Sequence, residues 1–188
     1  MIDHYVSRGG LKLASVIPTL GVDFRDKTVL DVGSSTGGFS DYALKHGANK
    51  VVAIEKGTNQ LHPSLIGDER LELHEKTDIR DLKKISMPVD IVVIDVSFVS
   101  LREILPTVAR LVSSRCDIIA MVKPQFEAKD EDKHKGIIKN NKIRRDILKN
   151  FELWASGYFQ LIKKSDSSLA GSGGNLERFY LLRKRGRE

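Results

Sequence analysis

The chain has 188 residues, 40% hydrophobic and 30% charged, a balance that suits one folded domain and excludes wholesale disorder. Its formal charge of +6 favours a polyanionic partner. The longest apolar runs are far shorter than the ~20 residues of a membrane helix, no signal-peptide pattern opens the chain, and the single cysteine cannot form an internal disulfide, so we expect a cytoplasmic protein.

Short β-branched runs alternate with amphipathic, helix-length stretches along the chain. A short helix, or a helix followed by a loop, is predicted over Ser7–Thr19, within a helical lead-in over residues 1–22. Strands are predicted at Thr28–Gly33, Lys50–Glu55, Leu71–Lys76, Asp90–Phe98, Cys116–Lys123, Tyr158–Lys164 and Arg178–Arg183, and further helices at Gly38–His46, Leu101–Val112 and Asn141–Ser156. This alternation indicates an α/β fold of the Rossmann-like type, with a mostly parallel seven-stranded sheet and helices on both faces.

The closing segments complete a single domain over residues 1–188. The glycine-rich turn Gly171–Asn175 separates the last two strands, which we expect to form a hairpin with at least one antiparallel strand. The charged stretch Ala128–Gly136 is typical of a solvated loop, and residues 184–188 of a frayed tail.

A glycine-rich turn within Asp31–Ser40 follows the first strand, at the point where open α/β sheets bind ligands. Its G-x-x-x-G-G spacing matches the dinucleotide fingerprint poorly. Glu55 suits ribose hydroxyls and Asp78 an adenine amino group, whereas Asp31 would repel pyrophosphate but suits the cationic amino-acid end of S-adenosylmethionine, which favours this cofactor over NAD. The predicted cofactor-binding residues are Asp31, Gly33, Ser34, Thr36, Gly37, Gly38, Phe39, Glu55, Lys56, Asp78, Ile79 and Asp95.

The residues after the fourth and fifth strands indicate which atom accepts the methyl group. Asp95 and Lys123 end adjacent central strands, where the reactive methyl must arrive. The sequence Asp95-Val96-Ser97-Phe98 lacks the prolines that are common in methyltransferases acting on exocyclic amines. Cys116 lies at the wrong end of its strand to attack a cytosine ring. These observations favour a hydroxyl acceptor.

Several segments together resemble the TlyA family of hemolysin-like ribosomal RNA methyltransferases, which are related to the FtsJ ribose 2′-O-methyltransferases. They are YVSRGGLKL (Tyr5–Leu13), DVGSSTGGF (Asp31–Phe39), DVSFVSL (Asp95–Leu101), VKPQFE (Val122–Glu127) and GGNLERFYLL (Gly173–Leu182). The resemblance implies methylation of ribosomal RNA, with cytidines as the expected targets. The family usually carries an N-terminal RNA-binding domain, and this chain begins where that domain should have ended, so we expect either a trimmed chain or a short homologue.

The resemblance also implies a catalytic tetrad of Lys12, Asp95, Lys123 and Glu177. A ribose hydroxyl must lose its proton during attack, and a lysine can accept it where neighbouring cations and desolvation favour its neutral form. We assign that role to Lys123, with Asp95 and Glu177 orienting it and Lys12 tuning charge and substrate position. Taken alone, Lys12 is typical of an exposed helix lysine, and Glu177 is also compatible with a surface strand residue that pairs with a nearby basic side chain.

RNA contacts are predicted for Arg8, Lys12 and Lys123. The tail cations are left open between solvated charge and an RNA track; they are Arg183, Lys184, Arg185 and Arg187. No histidine pair has metal-ligand spacing, so no metal is expected. Oligomeric state stays open between a monomer and a weak dimer.

Three alternatives compete with methyl transfer. A non-catalytic RNA-binding or ribosome-assembly factor could keep the same fold. A cytolysin, which the family name suggests, would need a membrane-active segment, and none is apparent in the sequence. An NAD-dependent oxidoreductase would prefer NADH to S-adenosylhomocysteine.

Overall fold

A computed structural model describes residues 4–129, 136–171 and 173–186. The helices are α1 (Arg8–Leu20), α2 (Gly38–Lys45), α3 (Leu101–Leu111), α4 (Pro124–Glu127) and α5 (Asn141–Ala155), and the strands are β1 (Thr28–Val32), β2 (Lys50–Ile54), β3 (Leu71–His74), β4 (Ile91–Ile94), β5 (Asp117–Val122), β6 (Phe159–Asp166) and β7 (Arg178–Lys184). Single 3₁₀ turns occur at Pro63–Leu65 and Ile79–Asp81. Most of the predicted loop Ala128–Gly136 lies outside the described residues.

The strands form one seven-stranded sheet in the order β3-β2-β1-β4-β5-β7-β6. The first five of these strands are parallel, and β7 runs antiparallel to both β5 and β6. The chain leaves β1 in one direction for β2 and returns on the other side as β4, so the crevice between the ends of β1 and β4 is the topological switch point where such sheets bind ligands. The predicted architecture is confirmed.

Helices cover both faces of the sheet because the central strands β1, β4 and β5 are buried on both sides. One core cluster packs α3 and α5 against the sheet, and the other packs α1 and α2. Leu13, Val16 and Leu20 are buried on the inner face of α1, so this helix belongs to the core and is more than the lead-in that the sequence predicted. The side chain of Ser7 accepts from the Gly9 amide and caps the helix.

The predicted fourth strand, Asp90–Phe98, is too long. β4 ends at Ile94, and the backbone reaches the left-handed region at Phe98, with a φ of 63°. The apolar pattern of the sequence continues past Ile94 because Val96 and Val99 pack against the core from a loop. The functional consequence is that Asp95 begins the loop that faces the switch point.

The predicted tail is also corrected, because Lys184 is the last residue of β7 and pairs with Phe159 of β6. Within the described ranges, no helix combines the length and the apolar composition needed to cross a membrane.

Candidate active site

A cavity of about 560 Å³ opens at the switch point, between the loops that follow β1, β2 and β4. Six of the predicted cofactor-binding residues line it: Gly33, Glu55, Lys56, Asp78, Ile79 and Asp95. A smaller cavity of about 100 Å³ lies beside it, and its lining includes the predicted residues Asp31, Gly33, Ser34, Thr36, Gly38, Phe39 and Asp95. Gly33 and Asp95 line both cavities, so the two form one connected region of the site.

Gly33 sets the width of the passage between β1 and β4. Its φ is +80°, and a Cβ placed there would lie 2.7 Å from the carbonyl oxygen of Asp95 and 3.1 Å from a methyl carbon of Val96. Only glycine allows the two loops to approach this closely.

We expect Gly33→Ala to lower the free energy of unfolding by about 1–3 kcal/mol, because it adds a backbone clash to a left-handed conformation. The same change should weaken cofactor binding, since the β1 and β4 loops must separate. Gly67→Ala is a matched control, because Gly67 has a similar φ of +89° but no atom within 4 Å of the added Cβ. Denaturant unfolding and calorimetry measure both effects; equal losses in the two variants would contradict the assigned role of Gly33.

Glu55 closes one wall of the large cavity and is held by backbone amides. Its carboxylate accepts from the Ser35 amide at 2.8 Å and from the Gly57 amide at 2.6 Å. Ser35 has a positive φ of 47°, which turns its N–H toward this carboxylate. The sequence prediction missed Ser35, because a serine flanked by Ser34 and Thr36 carries no signal of its backbone conformation.

Asp78 also lines the large cavity, where it pairs with cations of the protein. Arg80 donates to both of its oxygens, at 3.0 and 2.7 Å, and Lys56 approaches to 3.4 Å. The Arg80 guanidinium holds the pKa of the Asp78 carboxyl well below its usual range. Arg80 also reaches Glu103 of α3 at 2.8 Å, so the chain Asp78–Arg80–Glu103 spans one end of the cavity.

Asp31 is completely buried at the smaller cavity, inside β1. One carboxylate oxygen accepts from the Ser40 hydroxyl at 2.7 Å. The other oxygen, Oδ1, and the hydroxyl of Ser34 have no hydrogen-bond partner among the residues that the structure describes. Burial raises the pKa of Asp31 to about 7, and the nearby Asp95 adds to that shift. An orphaned, buried carboxylate oxygen beside a cavity is a position where a cationic ligand group would be stabilised.

Two short ion pairs contain all four members of the predicted tetrad. Lys123 Nζ lies 2.6 Å from Asp95 Oδ1 and donates to the Ser97 hydroxyl at 2.8 Å. Lys12 Nζ lies 2.6 Å from Glu177 Oε2, and this pair is largely removed from solvent, with side-chain exposures of 10% and 3%. The expectation that Lys12 and Glu177, taken alone, are exposed is therefore wrong, whereas Glu177 does pair with a basic side chain, that of Lys12.

The sheet topology explains why these residues meet. Asp95 follows β4, Lys123 follows β5, and Glu177 immediately precedes β7, which are three consecutive strands of the sheet. Val122 pairs with Arg178 in the antiparallel register, so Lys123 and Glu177 occupy the next facing positions at the same rim.

A buried arginine fixes the segment before Glu177. Arg144 of α5 donates to the carbonyl of Leu176 at 2.9 Å and to Asp166 at 2.7 Å. Arg178 donates to the same Asp166 carboxylate. The carbonyl of Leu176, through Arg144, and the side chain of Arg178 are thus both linked to the Asp166 carboxylate, which fixes the chain on either side of Glu177.

Some predicted residues lie away from this region. Gly37 lines neither cavity: its backbone has a φ of +87°, and a Cβ there would meet Leu65 at 2.5 Å and Leu61 at 2.9 Å. Arg183 pairs with Asp117 at 2.6 Å, at the amino end of the parallel strands, so β7 carries it and Lys184 away from the site.

Of the other candidate RNA-contacting cations, Arg8 lies on the side of the tetrad and Arg185 lies at the end of β7. Arg8 donates to the carbonyl of Ala170, near the loop that leads to Glu177, so it lies on the same side of the molecule as the tetrad. Arg185 donates to the carbonyl of Phe159 at 3.4 Å, beside the end of β7, and Arg187 lies outside the described residues.

Phe98 was missed as a site residue. It lines the large cavity, 91% of its surface is exposed, and its ring centroid lies 5.2 Å from that of Phe126. The only sequence signal was its place in the motif after Asp95, and the apolar pattern assigned it to a strand.

No group of three or more potential metal-ligating side chains occurs within residues 4–129, 136–171 and 173–186. Cys116 is buried immediately before β5, at the end of the sheet opposite the cavities.

Comparisons with known proteins agree on one family. A family model described as FtsJ-like methyltransferase matches residues 5–185. The chain is 38% identical over 179 residues to the 23S rRNA (cytidine-2′-O)-methyltransferase TlyA of Campylobacter jejuni, covering 94% of this chain and 70% of that protein. It is 43% identical over 181 residues to YqxC of Bacillus subtilis, provisionally named an rRNA methyltransferase, and covers 93% of this chain but 64% of that protein. A crystal structure from Lactococcus lactis, provisionally described as a hemolysin, superposes with a TM-score of 0.92 at 36% identity, covering 97% of this chain and 90% of that one.

Proposed function

The chain belongs to the FtsJ-like methyltransferase family and, within it, to the TlyA proteins, and on that premise we propose that it transfers a methyl group from S-adenosylmethionine to a ribose 2′-hydroxyl of ribosomal RNA. The observation that carries the proposal is the Asp95–Lys123 ion pair at the cavity that also borders the orphaned oxygen of Asp31. The chain spans 64% of the length of YqxC. The proposed activity therefore refers to the 188 residues of this chain and makes no statement about the remaining part of such relatives.

The residues present fit S-adenosylmethionine. The adenosine half fits the larger cavity, whose lining includes the carboxylates of Glu55 and Asp78. The amino-acid half fits the smaller cavity, where Asp31 Oδ1 can accept from an ammonium group. Because Asp78 already pairs with Arg80, we propose that it orients the adenine as part of that ion pair and not as a free carboxylate.

The chemistry requires a base beside the methyl group. When bound, S-adenosylmethionine supplies an electrophilic methyl. To act as the base, Lys123 must first release its own proton to solvent; its neutral Nζ then accepts the proton of the sugar hydroxyl, while Asp95, 2.6 Å away, fixes the position of that nitrogen. Lys12 and Glu177 form a buried ion pair on the neighbouring part of the rim. Because Lys12 neutralises the Glu177 carboxylate, that carboxylate does not repel the RNA phosphates.

Ribosomal RNA is the proposed acceptor because the name of the Campylobacter jejuni relative specifies a 23S cytidine 2′-hydroxyl. The net charge of +6 is consistent with a polyanionic substrate. A ribose acceptor also agrees with a site that offers a lysine and carboxylates but no cysteine near the cavity.

The test incubates ribosomal subunits and free rRNA with the protein and isotopically labelled S-adenosylmethionine, and then digests the RNA to nucleosides for mass spectrometry. We expect the label on ribose, as 2′-O-methylcytidine. Label on a base would refute the hydroxyl acceptor. No label, together with no cofactor binding by calorimetry, would favour a non-catalytic RNA-binding factor. Leakage from liposomes under the same conditions would favour a cytolysin.

Phe98 provides a surface on which a nucleobase can stack, and we expect Phe98→Ala to raise KM for RNA by about tenfold or more, since base–aromatic stacking contributes ~1–3 kcal/mol per base. Steady-state kinetics at saturating cofactor measure the change. Phe98→Tyr should retain wild-type kinetics, and Ile66→Ala, which truncates another exposed apolar side chain, should have no effect. An unchanged KM in Phe98→Ala would exclude stacking on this ring.

A further inference from the structure

Helix α5 presents a row of cations on its outer face. Lys142, Arg145 and Lys149 are exposed, and at 3.6 residues per turn they fall within an arc of roughly 60°. Lys139, just before the helix, is also exposed. In the part of the chain that the structure describes, none of these four side chains makes an ion pair. Two carboxylates of the helix border the row: Asp146, and Glu152, which pairs with Lys164 at 2.8 Å.

The opposite face of α5 is fixed, which determines where the cations point. Ile147, Leu148 and Phe151 are buried in the core, and Arg144 is buried by its bonds to Leu176 and Asp166. Rotation of the helix would break these contacts. The row of cations therefore faces away from the sheet.

The row begins at the rim that carries the tetrad. The side-chain oxygen of Asn175 accepts from the Ile138 amide at 2.9 Å, and Asn175 lies two residues before Glu177. Asn140 caps the helix two residues after Ile138. From Lys142 to Lys149 the row then extends roughly 10 Å away from the rim at ~1.5 Å per residue.

We propose that the outer face of α5, formed by Lys139, Lys142, Arg145 and Lys149, binds the phosphodiester backbone of the RNA strand that leads to the target ribose. This proposal rests on the proposed function, because it assigns the surface to the same RNA substrate. Four unpaired cations next to a rim that receives a polyanion match the regular negative charge of an RNA backbone. Contacts of this kind position the strand without reading its sequence.

The test is the triple variant Lys142→Gln, Arg145→Gln and Lys149→Gln, in which glutamine keeps the helix propensity of the exposed positions. We expect RNA binding to weaken at least tenfold at moderate salt. The slope of log Kd against log salt should fall by roughly two units, since each lost phosphate contact removes about 0.7–0.9. KM for RNA should rise, while kcat at saturating RNA and the affinity for S-adenosylhomocysteine stay unchanged.

The matched control is a second triple variant, Lys83→Gln, Lys84→Gln and Arg115→Gln, which removes the same charge from exposed positions outside α5. Circular dichroism and thermal unfolding check that both variants fold. Equal salt slopes for the two variants would overturn the proposal, because the effect would then be one of net charge.

Two further outcomes distinguish RNA binding by this surface from binding of a protein partner, and from failure of the proposed methyl transfer. Impaired binding to intact ribosomal subunits with normal binding to free rRNA would indicate a protein partner and overturn the proposal. A wild-type protein that binds rRNA through this face but transfers no methyl group would refute the proposed function and leave the surface supported.

Discussion

Lys123→Ala should reduce methyl transfer about a thousandfold while leaving cofactor affinity unchanged, because general base catalysis contributes ~10²–10⁴ in rate. Lys123 Nζ is within 2.6 Å of Asp95, which lines both cavities, and among the tetrad's cations it is the one paired with a cavity residue. Lys12 is turned toward Glu177, away from this contact. Single-turnover kinetics with saturating RNA measure the chemical step, and calorimetry with S-adenosylhomocysteine measures binding.

Two control variants distinguish the role of Lys123 as a base from its role as a positive charge. Lys123→Arg keeps a cation beside Asp95 but cannot act as a base at neutral pH, so it should be as inactive as the alanine variant. Lys83→Ala removes an exposed lysine with no ion pair in the described ranges and should behave like the wild type. Activity in Lys123→Arg would mean that the cation only positions the substrate, and activity in Lys123→Ala would remove this residue from the mechanism.

The positions of Asp95 and Lys123 could be predicted from the sequence because they depend on local patterns. A parallel strand buried on both faces has a continuous apolar run, and the first polar residue after it lies at the carboxyl rim. The same patterns could not locate the end of β4 at Ile94. The apolar run continues through Val96 and Val99, which pack against the core from a loop, so the apolar pattern does not mark where the strand ends.

The burial of Lys12 and Glu177 depends on contacts between distant parts of the chain. Glu177 reaches the rim only because β7 inserts between β5 and β6, and Lys12 meets it only because α1 packs on the face of the sheet that carries α2. Local sequence predicted the hairpin but contained no information on where it would insert. For the same reason Gly37, which packs against Leu61 and Leu65, could not be distinguished from Gly33, which faces the cavity.

The second large effect is expected at Asp31, whose raised pKa makes cofactor affinity depend on pH. With a pKa of about 7, Asp31 is mostly protonated below neutrality and then cannot pair with the ammonium of the cofactor. Binding below pH 7 therefore requires loss of a proton, and affinity should fall by up to about tenfold per pH unit as the pH is lowered, by proton linkage. Calorimetry in buffers of different ionisation enthalpy should detect one proton released at pH 6 and none at pH 8.

Asp31→Asn should abolish this pH dependence and weaken the cofactor at pH 8 by about 10–100-fold, since a hydrogen bond to a charged group contributes ~1.5–3 kcal/mol. Asp146→Asn changes the net charge equally at an exposed position and should do neither. An affinity of the wild type that is flat from pH 5.5 to 8 would contradict the assignment of the ammonium to Asp31.

The raised pKa of Asp31 has opposite effects on two measurable quantities: as the pH rises, cofactor affinity should increase, whereas the stability of the free protein should decrease. This contrast distinguishes a ligand-binding role of Asp31 from a purely structural one. Because burial raises its pKa from 3.8 to about 7, its contribution to stability is complete below pH 3.8 and is lost as the pH rises toward 7. Asp31→Asn has no such loss, so the free variant should gain stability relative to the wild type between pH 5 and 8, as measured by denaturant unfolding. Since the cofactor supplies the missing cation, its addition at pH 8 should stabilise the wild type far more than the variant; equal stabilisation of the two would show that the orphaned oxygen does not receive the ligand.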